Sequence, residues 1–306
     1  MNRADVLDSP KNLQVMQGLA HDLAGRRAGD RLPTSRDLQA RFGAGSGTIS
    51  KCLRALEDVG AVSCVARGHQ GTFITGKRIG RLWTIAELGA VSALFTPPPR
   101  SQSEQLIADL RAQFEAVEVP LNVVLRRGAD RRVDDVLSGD ADLAVISAGA
   151  FMRVTEAHGQ ENVRAWSLGP FTFYSRDSLT VLLRPGLTRA DEVRSVAVAS
   201  DSLDHVRFSQ AEFGEAVDYV AVEYDGLPLA VAERRVDAAL WHHEPLLIPF
   251  EMVGITACPL QRRDAIELAT NLSHAVIVAR PEAAELAALV DEFDLAAIGA
   301  APAARS

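Results

Sequence analysis

The sequence has few cysteines and no long hydrophobic segment, and each shortage excludes a class of protein. Cys52, Cys64 and Cys258 are the three cysteines among 306 residues, and they form no CxxC pair. We therefore expect neither a disulfide framework nor a zinc site. No apolar run approaches the roughly 20 residues that span a bilayer, and the N-terminal MNRADVLDSPK lacks the apolar core of a secretion signal. A protein of the reducing cytoplasm, with no membrane partner, is expected.

Motifs for catalysis and metal binding are also absent. The sequence contains no GxSxG nucleophile motif. The run His242-His243-Glu244 holds residue types that bind metals, but adjacent histidines on an extended chain point in different directions. A zinc site needs three or four convergent ligands. We therefore expect no catalytic residue, no metal site and no cofactor.

An excess of positive charge occurs only in the N-terminal part of the chain. Residues 1–80 contain 12 Lys and Arg against 7 Asp and Glu, whereas the remainder contains 20 against 33. The formal net charge of −8 thus combines a basic module with an acidic body. This asymmetry indicates a polyanionic partner for the first module alone, although chance clustering of surface charge would look the same. The length suggests two domains.

The start of the chain predicts two helices. Ser9 and Pro10 are preferred residue types for a helix N-cap and first position, and apolar residues then recur at helical spacing up to Gly25. Thr34 is expected to cap a second helix, because Asp37 completes a capping-box pattern. The inward face of this second helix is expected to carry Leu38, Ala40 and Phe42.

A third helix and a hairpin follow. The turn at residues 43–45 leads to Ser46, the expected N-cap of the third helix, and Gly60 is expected to end that helix in the left-handed conformation. Two short helices joined by a glycine turn form a helix-turn-helix. A strand, a turn and a returning strand are expected at residues 61–66, 67–71 and 72–75. Together these elements predict a winged helix.

The polar face of the third helix indicates DNA binding. Small polar groups at a helix N-terminus can reach base edges in the major groove, and arginines beside them neutralise phosphates. A small three-helix domain with a solvated polar face would show the same helical pattern, but the hairpin favours DNA binding. The residues expected to contact DNA are Ser35, Arg36, Ser46, Gly47, Thr48, Ser50, Lys51, Arg54, Arg67 and His69.

This first module resembles the DNA-binding half of the GntR superfamily of bacterial regulators. The resemblance rests on the Leu-Pro-Thr-Ser entry at 32–35, the Arg-Phe-Gly turn at 41–43, the Leu-Glu-x-x-Gly exit at 56–60 and the Gly-Thr-Phe wing at 71–73. It covers residues 10–76 and implies a winged helix bound to double-stranded DNA.

The recognition helix departs from the superfamily pattern. GntR regulators usually carry Ser-Arg before the Thr-Val of this helix, and the resemblance implies that the arginine contacts DNA. Here Gly45-Ser46 occupies that place and Gly47-Thr48-Ile49 follows. Rules for operator sequence are therefore not carried over. This start, combined with the Arg-Gly-His-x-Gly-Thr wing at 67–72, resembles the YhfZ-type branch.

The remainder of the chain predicts an α/β domain. We expect a winged helix at 1–76, a linker at 77–87 in which Trp83 packs between domains, and an effector-binding domain at 88–306. Short apolar strands alternate with amphipathic helices, which predicts parallel sheets with helices on their faces. Strands are expected at 89–95, 121–125, 142–147, 193–200, 219–223 and 237–241, and helices at 103–117, 130–137, 202–213 and 227–235.

The two halves of this domain have similar sequence patterns. Gly-Asp-Ala-Asp at 139–142 and Arg-Val-Asp-Ala at 235–238 each introduce a strand of small residues. Residues 169–183 and 265–278 are candidates for strands that cross between two lobes, and a final helix is expected at 282–298.

Two α/β lobes joined by two crossings resemble the type 2 periplasmic-binding-protein fold. The phrases GDADLAVIS and RVDAALW are typical of it. That fold serves as the effector domain of several regulator families, the YhfZ type included. The expected fold class is therefore α/β, with an N-terminal winged helix-turn-helix and a two-lobed C-terminal domain of periplasmic-binding-protein type.

Ligands of such open sheets bind outside the carboxyl ends of the strands. Arg100 and Ser101 lie at the start of a helix, where an arginine and free N–H groups form a natural anion site. We therefore expect a small polar effector, with an anionic group as one option. The expected ligand-binding residues are Thr96, Arg100, Ser101, Arg127, Ser147, Ala148, Ser200, Asp201, Ser202, Tyr224, Trp241 and His242.

Several of these residues have structural alternatives. Ser202 fits a helix N-cap as well as it fits ligand contact. Asp201 fits a solvated loop, and Arg127 fits an ion pair with the acidic surface. Tyr224 and Trp241 fit packing, although aromatic rings at strand ends often line a pocket.

The combined pattern favours a transcription regulator that binds DNA as a homodimer and responds to a small molecule. Closure of the lobes would alter the spacing of two DNA-binding heads through the linker. One alternative is an enzyme of the two-lobe fold with a fused DNA-binding head, which substrate turnover would reveal. Another is a DNA-binding structural protein whose α/β domain only dimerises, which a ligand-induced rise in melting temperature would exclude.

Overall fold

The computed structural model describes residues 10–97, 101–175, 178–188, 192–242 and 249–299. The chain divides into two compact units. Unit 1 comprises Met1–Ala93, Leu110–Asn122 and Ala279–Asp294, and unit 2 comprises Leu94–Asp109, Val123–Val278 and Leu295–Ser306. Each unit is built around its own buried apolar residues.

Unit 1 contains a winged helix. Its elements are the helices α1 (Pro10–Ala24), α2 (Ser35–Phe42) and α3 (Ser46–Asp58) and the strands β1 (Val62–Ala66) and β2 (Thr72–Lys77). The strands pair in antiparallel fashion and form the wing. Apolar side chains of all three helices and of β2 form one core with Leu82, and its largest fully buried members are Leu19, Leu23, Ile49, Leu56, Ile74 and Leu82.

The helix ends confirm most of the capping predictions. Thr34 caps α2 within a complete capping box with Asp37, and Gly43 ends that helix with φ of 57°. The expected N-cap of α3 was wrong by one residue, because Gly45 has the extended backbone of the cap and Ser46 begins the helix. The assignment of Ala40 to the inward face of α2 was also wrong, because Ala40 is exposed. Ser9 lies outside the described residues.

The segment expected as a linker contains a helix, α4 (Ile79–Ile85), which packs against α1. Trp83 is buried, and its indole N–H donates a hydrogen bond of 2.7 Å to the carbonyl oxygen of Gly89. A Cβ atom on Gly80 would lie 2.2 Å from the carbonyl oxygen of Val117. Residues 79–85 are therefore a closely packed part of unit 1.

The first half of the α/β region contributes most of one five-stranded sheet. Its strands are β3 (Val91–Phe95), β4 (Leu121–Leu125), β5 (Leu143–Ser147), β6 (Arg164–Ser167) and, from much later in the chain, β12 (Ala275–Ala279). Their order across the sheet is β4-β3-β5-β12-β6. The intervening helices are α5 (Ser101–Ala116), α6 (Ala129–Ser138) and α7 (Ala148–His158).

A second five-stranded sheet follows within unit 2. Its strands are β7 (Leu179–Leu183), β8 (Ser195–Val198), β9 (Asp218–Ala221), β10 (Ala238–His242) and β11 (Thr256–Pro259), in the order β11-β7-β10-β8-β9. β8 runs parallel to β9 and β10, whereas β7 is antiparallel to β10 and β11. The helices are α8 (Leu203–Phe213), α9 (Leu227–Ala232) and α10 (Arg263–Asn271), and α11 (Ala284–Val290) ends the series.

The two sheets have the same internal order once the crossing strands are recognised. β7 is the first strand of the second sheet and pairs antiparallel with β10, and β12 returns to the first sheet and pairs antiparallel with β5. Each sheet therefore contains, at the same place in its order, one strand that follows a crossing between the sheets. The two predicted crossings, 169–183 and 265–278, contain these two strands.

Three parts of the expectation need correction. Residues 265–271 were expected as strand but belong to α10, because only Ala265 is buried while Ile266 is exposed, as on one face of a helix. The final helix ends at Val290 rather than 298, because the N–H groups of Glu292 and Phe293 bond to carbonyls three residues earlier. Helix α7 was not expected, because Ser147 ends β5 and caps α7 without an intervening loop.

Among the residues that the structure describes, no helix is long and apolar enough to cross a membrane.

Candidate DNA-binding surface and ligand cavity

Helix α3 separates an apolar from a polar face. Ile49, Cys52 and Leu56 are buried in the core of the winged helix. The residues expected to contact DNA lie on the opposite side, with Ser46, Gly47, Ser50 and Arg54 exposed and Thr48 and Lys51 partly exposed.

The N-terminal turn of α3 is open. A Cβ atom on Gly45 or Gly47 would meet no described atom within 4 Å beyond the adjacent residues and the backbone of the helix itself. The space beside these two glycines is therefore open, and the first backbone N–H groups of an α-helix have no partner within the helix. A polyanion can approach it closely, and the helix dipole favours negative charge there.

The wing places two arginines near its tip. The guanidinium of Arg67 stacks over the ring of Phe73 at 4.9 Å. Arg31 forms an isolated backbone bridge with Phe73, and its side chain packs against Gly71. His69 is exposed in the short 3-10 turn. Arg31 was missed in the sequence because it precedes the helix-turn-helix by several residues, and only the β-bridge brings it to the wing.

Helix α2 starts at a hydrogen-bonded turn. The Thr34 N–H donates to Oδ2 of Asp37 at 3.1 Å, and the Asp37 N–H donates to Oγ1 of Thr34 at 3.2 Å. Hydrogen bonding from Thr34 lowers the pKa of Asp37. This turn fixes the position of Ser35 and Arg36, which are both exposed at the start of α2.

A cavity of about 160 Å³ lies in unit 2 where strands of both sheets end. Thr96 follows β3, Arg127 follows β4, Ser147 ends β5 and Asp201 follows β8. The lining residues are Thr96, Arg127, Gly128, Ala129, Arg132, Ser147, Ala150, Arg153, Phe173, Tyr174, Asp201, Ser202, Leu203, Asp204 and Tyr224.

Three arginines give this cavity a positive side. Arg132 is 3% exposed, and its Nη1 donates a hydrogen bond of 2.8 Å to the carbonyl oxygen of Arg126. Arg153 on α7 pairs with Asp130 at 2.6 Å. Arg127 pairs with Asp225 at 3.2 Å, and both of these side chains are largely exposed. Such an exposed pair is weak and readily exchanged for a ligand.

Asp204 is the most buried acidic side chain of the lining, with 3% exposure. Its Oδ2 accepts a hydrogen bond of 3.0 Å from the Tyr174 hydroxyl. Burial raises the pKa of Asp204, although hydrogen bonding from Ser147 and Tyr174 acts in the opposite direction. A Cβ atom on Gly149, in the first turn of α7, would lie 1.7 Å from Oδ1 of Asp204.

Aromatic and histidine side chains pack on one another near this carboxylate. Tyr174 stacks on His242 with ring centroids 4.4 Å apart, and Tyr224 stacks on Trp241 at 4.9 Å. The Tyr224 hydroxyl lies 2.9 Å from Nδ1 of His242. His205 is buried, and its Nδ1 accepts a hydrogen bond from the Ala199 N–H. Its Nε2 therefore carries the proton and donates it in a hydrogen bond to the carbonyl oxygen of Leu240.

Half of the predicted ligand-binding residues line one cavity. They are Thr96, Arg127, Ser147, Asp201, Ser202 and Tyr224. Ala148 begins α7 beside the cavity, Ser200 is exposed next to Asp201, and buried His242 contacts Tyr174 and Tyr224. Trp241 needs correction, because it lies in the core of the second sheet below Tyr224 and does not line the cavity. Arg100 and the side chain of Ser101 lie outside the described residues.

Four polar or charged lining residues were missed: Arg132, Arg153, Tyr174 and Asp204. Asp204 lies in the first turn of α8 and Arg153 in the second turn of α7. Each is six positions beyond the end of a strand, so a rule that includes nearby helical residues would have found both. No signal marks Tyr174, which lies in the irregular segment before β7. Among the described residues no group of three acidic, histidine or cysteine side chains has the arrangement of a metal site, and His243 and Glu244 lie outside them.

Comparison with known proteins finds two family models that match successive parts of the chain. A family model described as the YhfZ C-terminal domain matches residues 79–300, and one described as a helix-turn-helix domain matches residues 27–74. YhfZ of Escherichia coli (strain K12) is 29% identical over 261 residues, which are 83% of this chain and 84% of that protein.

Solved structures show the same architecture. The crystal structure of YhfZ from Shigella flexneri has a TM-score of 0.56 and 26% identity, and the match covers 72% of this chain and 90% of that one. The alkanesulfonate-binding protein SsuA from Xanthomonas axonopodis pv. citri, bound to MOPS, has a TM-score of 0.50 and 13% identity over 67% of this chain and 70% of its own. That second likeness shows the periplasmic-binding-protein fold alone. Because the YhfZ C-terminal model matches most of the sequence and a helix-turn-helix precedes it, the chain belongs to the YhfZ family.

Proposed function

We propose that this protein is a transcription regulator whose binding to operator DNA is controlled by a small polar, anionic metabolite held in the cavity of unit 2. The winged helix binds double-stranded DNA, and the protein acts in the cytoplasm as a homodimer on a two-fold site. The proposed division of the chain is a DNA-binding domain at 1–76, a connecting segment at 77–87 and an effector domain at 88–306.

The observation that carries DNA binding is the uncovered N-terminal turn of α3. Gly45 and Gly47 leave room for a phosphate or a base edge, and Ser46 and Thr48 offer hydroxyl groups beside them. Hydroxyl groups read bases less specifically than a bidentate arginine does. Sequence preference in this protein therefore depends on close backbone approach, while Arg54, Arg67 and Arg31 supply affinity through phosphates.

The cavity supports an anionic effector. Three of its lining side chains are arginines, and α7 and α8 both begin at it with serine N-caps, Ser147 and Ser202. Guanidinium groups and helix N-termini both stabilise negative charge. At about 160 Å³ the cavity suits a small ligand in this arrangement of the chain.

Coupling between ligand and DNA requires a route along the chain. Strand β12 pairs with β5, whose last residue Ser147 lines the cavity, and β12 continues directly into the segment that holds α11. Within unit 1, α11 packs against α1 of the winged helix. Ligand binding at Ser147 can thus act on the DNA-binding module through β12 and α11, besides the segment at 77–87.

The test of DNA binding compares single arginine and lysine variants of the full chain. Lys51→Ala and Arg54→Ala are each expected to weaken binding of duplex DNA. Each should also reduce the slope of log affinity against log salt concentration by about the value of one phosphate contact. Arg263→Ala is the matched control, because Arg263 is an exposed arginine on α10 outside the winged helix. Equal affinity of all four proteins at moderate salt contradicts the proposed surface.

The effector is sought by a thermal-shift screen of small anionic metabolites, followed by a DNA-binding assay with each compound that raises the melting temperature. An unchanged compound recovered after incubation supports a regulator. Its chemical conversion by the protein, detected by mass spectrometry, supports the alternative of an enzyme with a DNA-binding head.

A further inference from the structure

A second cavity, of about 550 Å³, lies within unit 2 in addition to the cavity of about 160 Å³ proposed for the effector, which we call the effector cavity. Its walls are the segment before β7, the start of β7, the end of β11 and helix α10. Pro259 of β11 pairs with Thr180 of β7, and Ile266 and Ala269 line the cavity from α10. Small-molecule sites have volumes of roughly 300–1,000 Å³, so this cavity can hold a metabolite.

The lining of this second cavity is uncharged. Most of its described residues have aliphatic or aromatic side chains, and none is acidic, basic or a histidine. Hydrogen-bonding groups are few, which is the usual composition of a site that takes a largely apolar ligand. The aliphatic hydroxyl groups of the lining belong to Ser175, Ser178, Thr180 and Thr270. We call this space the apolar cavity, in contrast to the effector cavity with its three arginines.

Hydrogen bonds join two walls of the apolar cavity. Phe171 has φ of 63°, a left-handed backbone conformation that is uncommon for a residue other than glycine. Its N–H donates a hydrogen bond of 2.9 Å to Oγ of Ser273, whose hydroxyl in turn donates to the carbonyl oxygen of Thr270 in α10 at 2.6 Å. Ser273 is 1% exposed. The position of Phe171 against α10 is therefore fixed by the protein itself, before any ligand binds.

Tyr174 lines both cavities of unit 2. Its hydroxyl donates a hydrogen bond of 3.0 Å to Asp204 of the effector cavity, and its ring stacks on His242 at 4.4 Å. A molecule in the apolar cavity would therefore lie beside a ring that also helps to form the effector cavity.

The surroundings of Cys258 disfavour negative charge in the apolar cavity. Cys258 is a lining residue, and burial together with the nearby Glu212 raises the pKa of its thiol. The carboxylate of Glu212 accepts hydrogen bonds from the backbone N–H groups of Gln261 and Arg262. An ionised ligand would lose hydration here without gaining an opposite charge from the described lining, whereas an uncharged one would not.

We propose that the apolar cavity is a second ligand site, which takes a small uncharged molecule with an apolar body and a hydroxyl or carbonyl group. The apolar body packs against Phe171, Leu179 and Ile266, and the polar group bonds to the serine and threonine hydroxyls of the lining. The site goes beyond the proposed function, because it lies in unit 2 alone and needs neither DNA nor an anionic effector.

Cys258 provides the measurement, because a bound molecule shields its thiol. The full chain is alkylated with iodoacetamide at about pH 8, where a fraction of each thiol is ionised, and each cysteine is quantified by peptide mass spectrometry. The probes are benzyl alcohol, benzoate and benzylammonium, which share one ring and differ in charge. Benzyl alcohol is expected to protect Cys258 at concentrations about tenfold lower than either ion does. Cys64 of β1, outside the cavity, is expected to react at an unchanged rate.

Two pairs of variants locate the protection. Ala269→Phe fills the cavity and should slow alkylation of Cys258 without any probe, whereas Ala112→Phe, at an exposed position on α5, should react like wild type. Ile266→Ser removes an apolar part of the wall and should weaken protection by benzyl alcohol. Leu229→Ser is its matched control, because Leu229 is also an exposed apolar residue on a helix of unit 2 but does not line the cavity.

Several results overturn the proposal. Without a probe, a Cys258 that reacts no faster than the buried Cys52 shows that the cavity is closed. Absence of protection by benzyl alcohol, equal protection by the three probes, or an equal response of Ile266→Ser and Leu229→Ser also contradicts it. A rate for Cys258 that falls as the protein concentration rises identifies a second copy of the chain as the occupant. None of these outcomes measures DNA binding, so the proposed function is tested separately.

Discussion

Arg27 and Asp291 form an ion pair of 2.5 Å although 264 positions separate them in the chain. Arg27 follows the C-terminal end of α1, and Asp291 follows α11. Two further contacts join these elements within unit 1: His21 lies 3.7 Å from Glu285, and Gly25 faces Ala284. The winged helix is therefore fastened to the segment that continues from β12.

The ion pair itself is expected to transmit a signal rather than to stabilise the fold. Both side chains are partly exposed, so Arg27→Ala should change the free energy of unfolding by less than about 1 kcal/mol. The effector, once identified, should bind Arg27→Ala with normal affinity but alter DNA affinity less than in wild type. Arg263→Ala, which removes the exposed pair with Glu267, serves as control and should retain the full response.

Alanine substitutions are expected to differ in effect at two nearby glycines, Gly80 in α4 and Gly76 in β2. Alanine normally stabilises a helix relative to glycine, by about 1 kcal/mol, yet Gly80→Ala should destabilise the protein because the new Cβ overlaps the Val117 carbonyl oxygen. Overpacking of this kind costs about 1–3 kcal/mol. Gly76→Ala has open space around it and should be nearly neutral in thermal unfolding. A stabilised Gly80→Ala protein would show that α4 does not pack in this way.

Ser202 offers a way to separate helix capping from ligand contact. Its hydroxyl oxygen accepts a hydrogen bond of 3.4 Å from the His205 N–H. Ser202→Ala should cost about 1 kcal/mol of stability, whereas Ser202→Gly should cost only a few tenths. Both variants lack the hydroxyl, so both should lose effector affinity to the same extent. If effector affinity falls in Ser202→Ala but stays near the wild-type value in Ser202→Gly, affinity changes in parallel with stability, and Ser202 acts as a helix cap alone.

Asp237 predicts an acid-dependent loss of stability. Burial alone would raise its pKa, but hydrogen bonds from Arg184 and from the N–H groups of Arg194 and Ser195 outweigh burial and lower the pKa. A carboxyl group with a lowered pKa stabilises the fold above its unfolded-state pKa of about 3.9, and this contribution is lost as the pH falls through the folded-state pKa.

Asp237→Asn should therefore reduce the free energy of unfolding at pH 7 by on the order of 2 kcal/mol, the usual value for hydrogen bonds to a charged group. The difference from wild type should narrow below about pH 4, because Asp237 is then protonated in the unfolded wild-type chain and, as the pH falls further, in the folded chain as well. Chemical denaturation at several pH values measures this, with exposed Asp218→Asn as control. A difference that is constant with pH would mean that the charge of Asp237 is not involved.

Much of the fold follows from local sequence patterns. Thr34 and Asp37 predict the start of α2 because capping depends on residues three positions apart. The apolar runs predict the buried strands, because the pattern of apolar residues along one element reflects which of its residues are buried. The two sets of strands, joined by the crossing segments, then predict two lobes. The start of α3 was misplaced by one residue since glycine and serine are both good N-caps, and only the extended backbone of Gly45 decides between them.

The cavity was only partly predictable, for a different physical reason. Residues within a few positions of a strand end, such as Thr96 and Ser202, are found from the rule on strand ends. Asp204 and Tyr174 meet because α8 and the segment before β7 approach each other in space, and no spacing in the sequence encodes that approach. The buried carboxylate against Gly149 is likewise visible only in three dimensions.

Sequence-specific DNA binding by α3 and the wing can be measured directly. The full chain selects duplexes from a randomised double-stranded library, and the affinity of the selected DNA is then measured at several salt concentrations. We expect enrichment of a shared sequence that binds about 10³-fold or more tightly than random DNA, with weaker binding by Arg54→Ala. Recovery of unrelated sequences with equal affinity for wild type and Arg54→Ala would contradict this expectation.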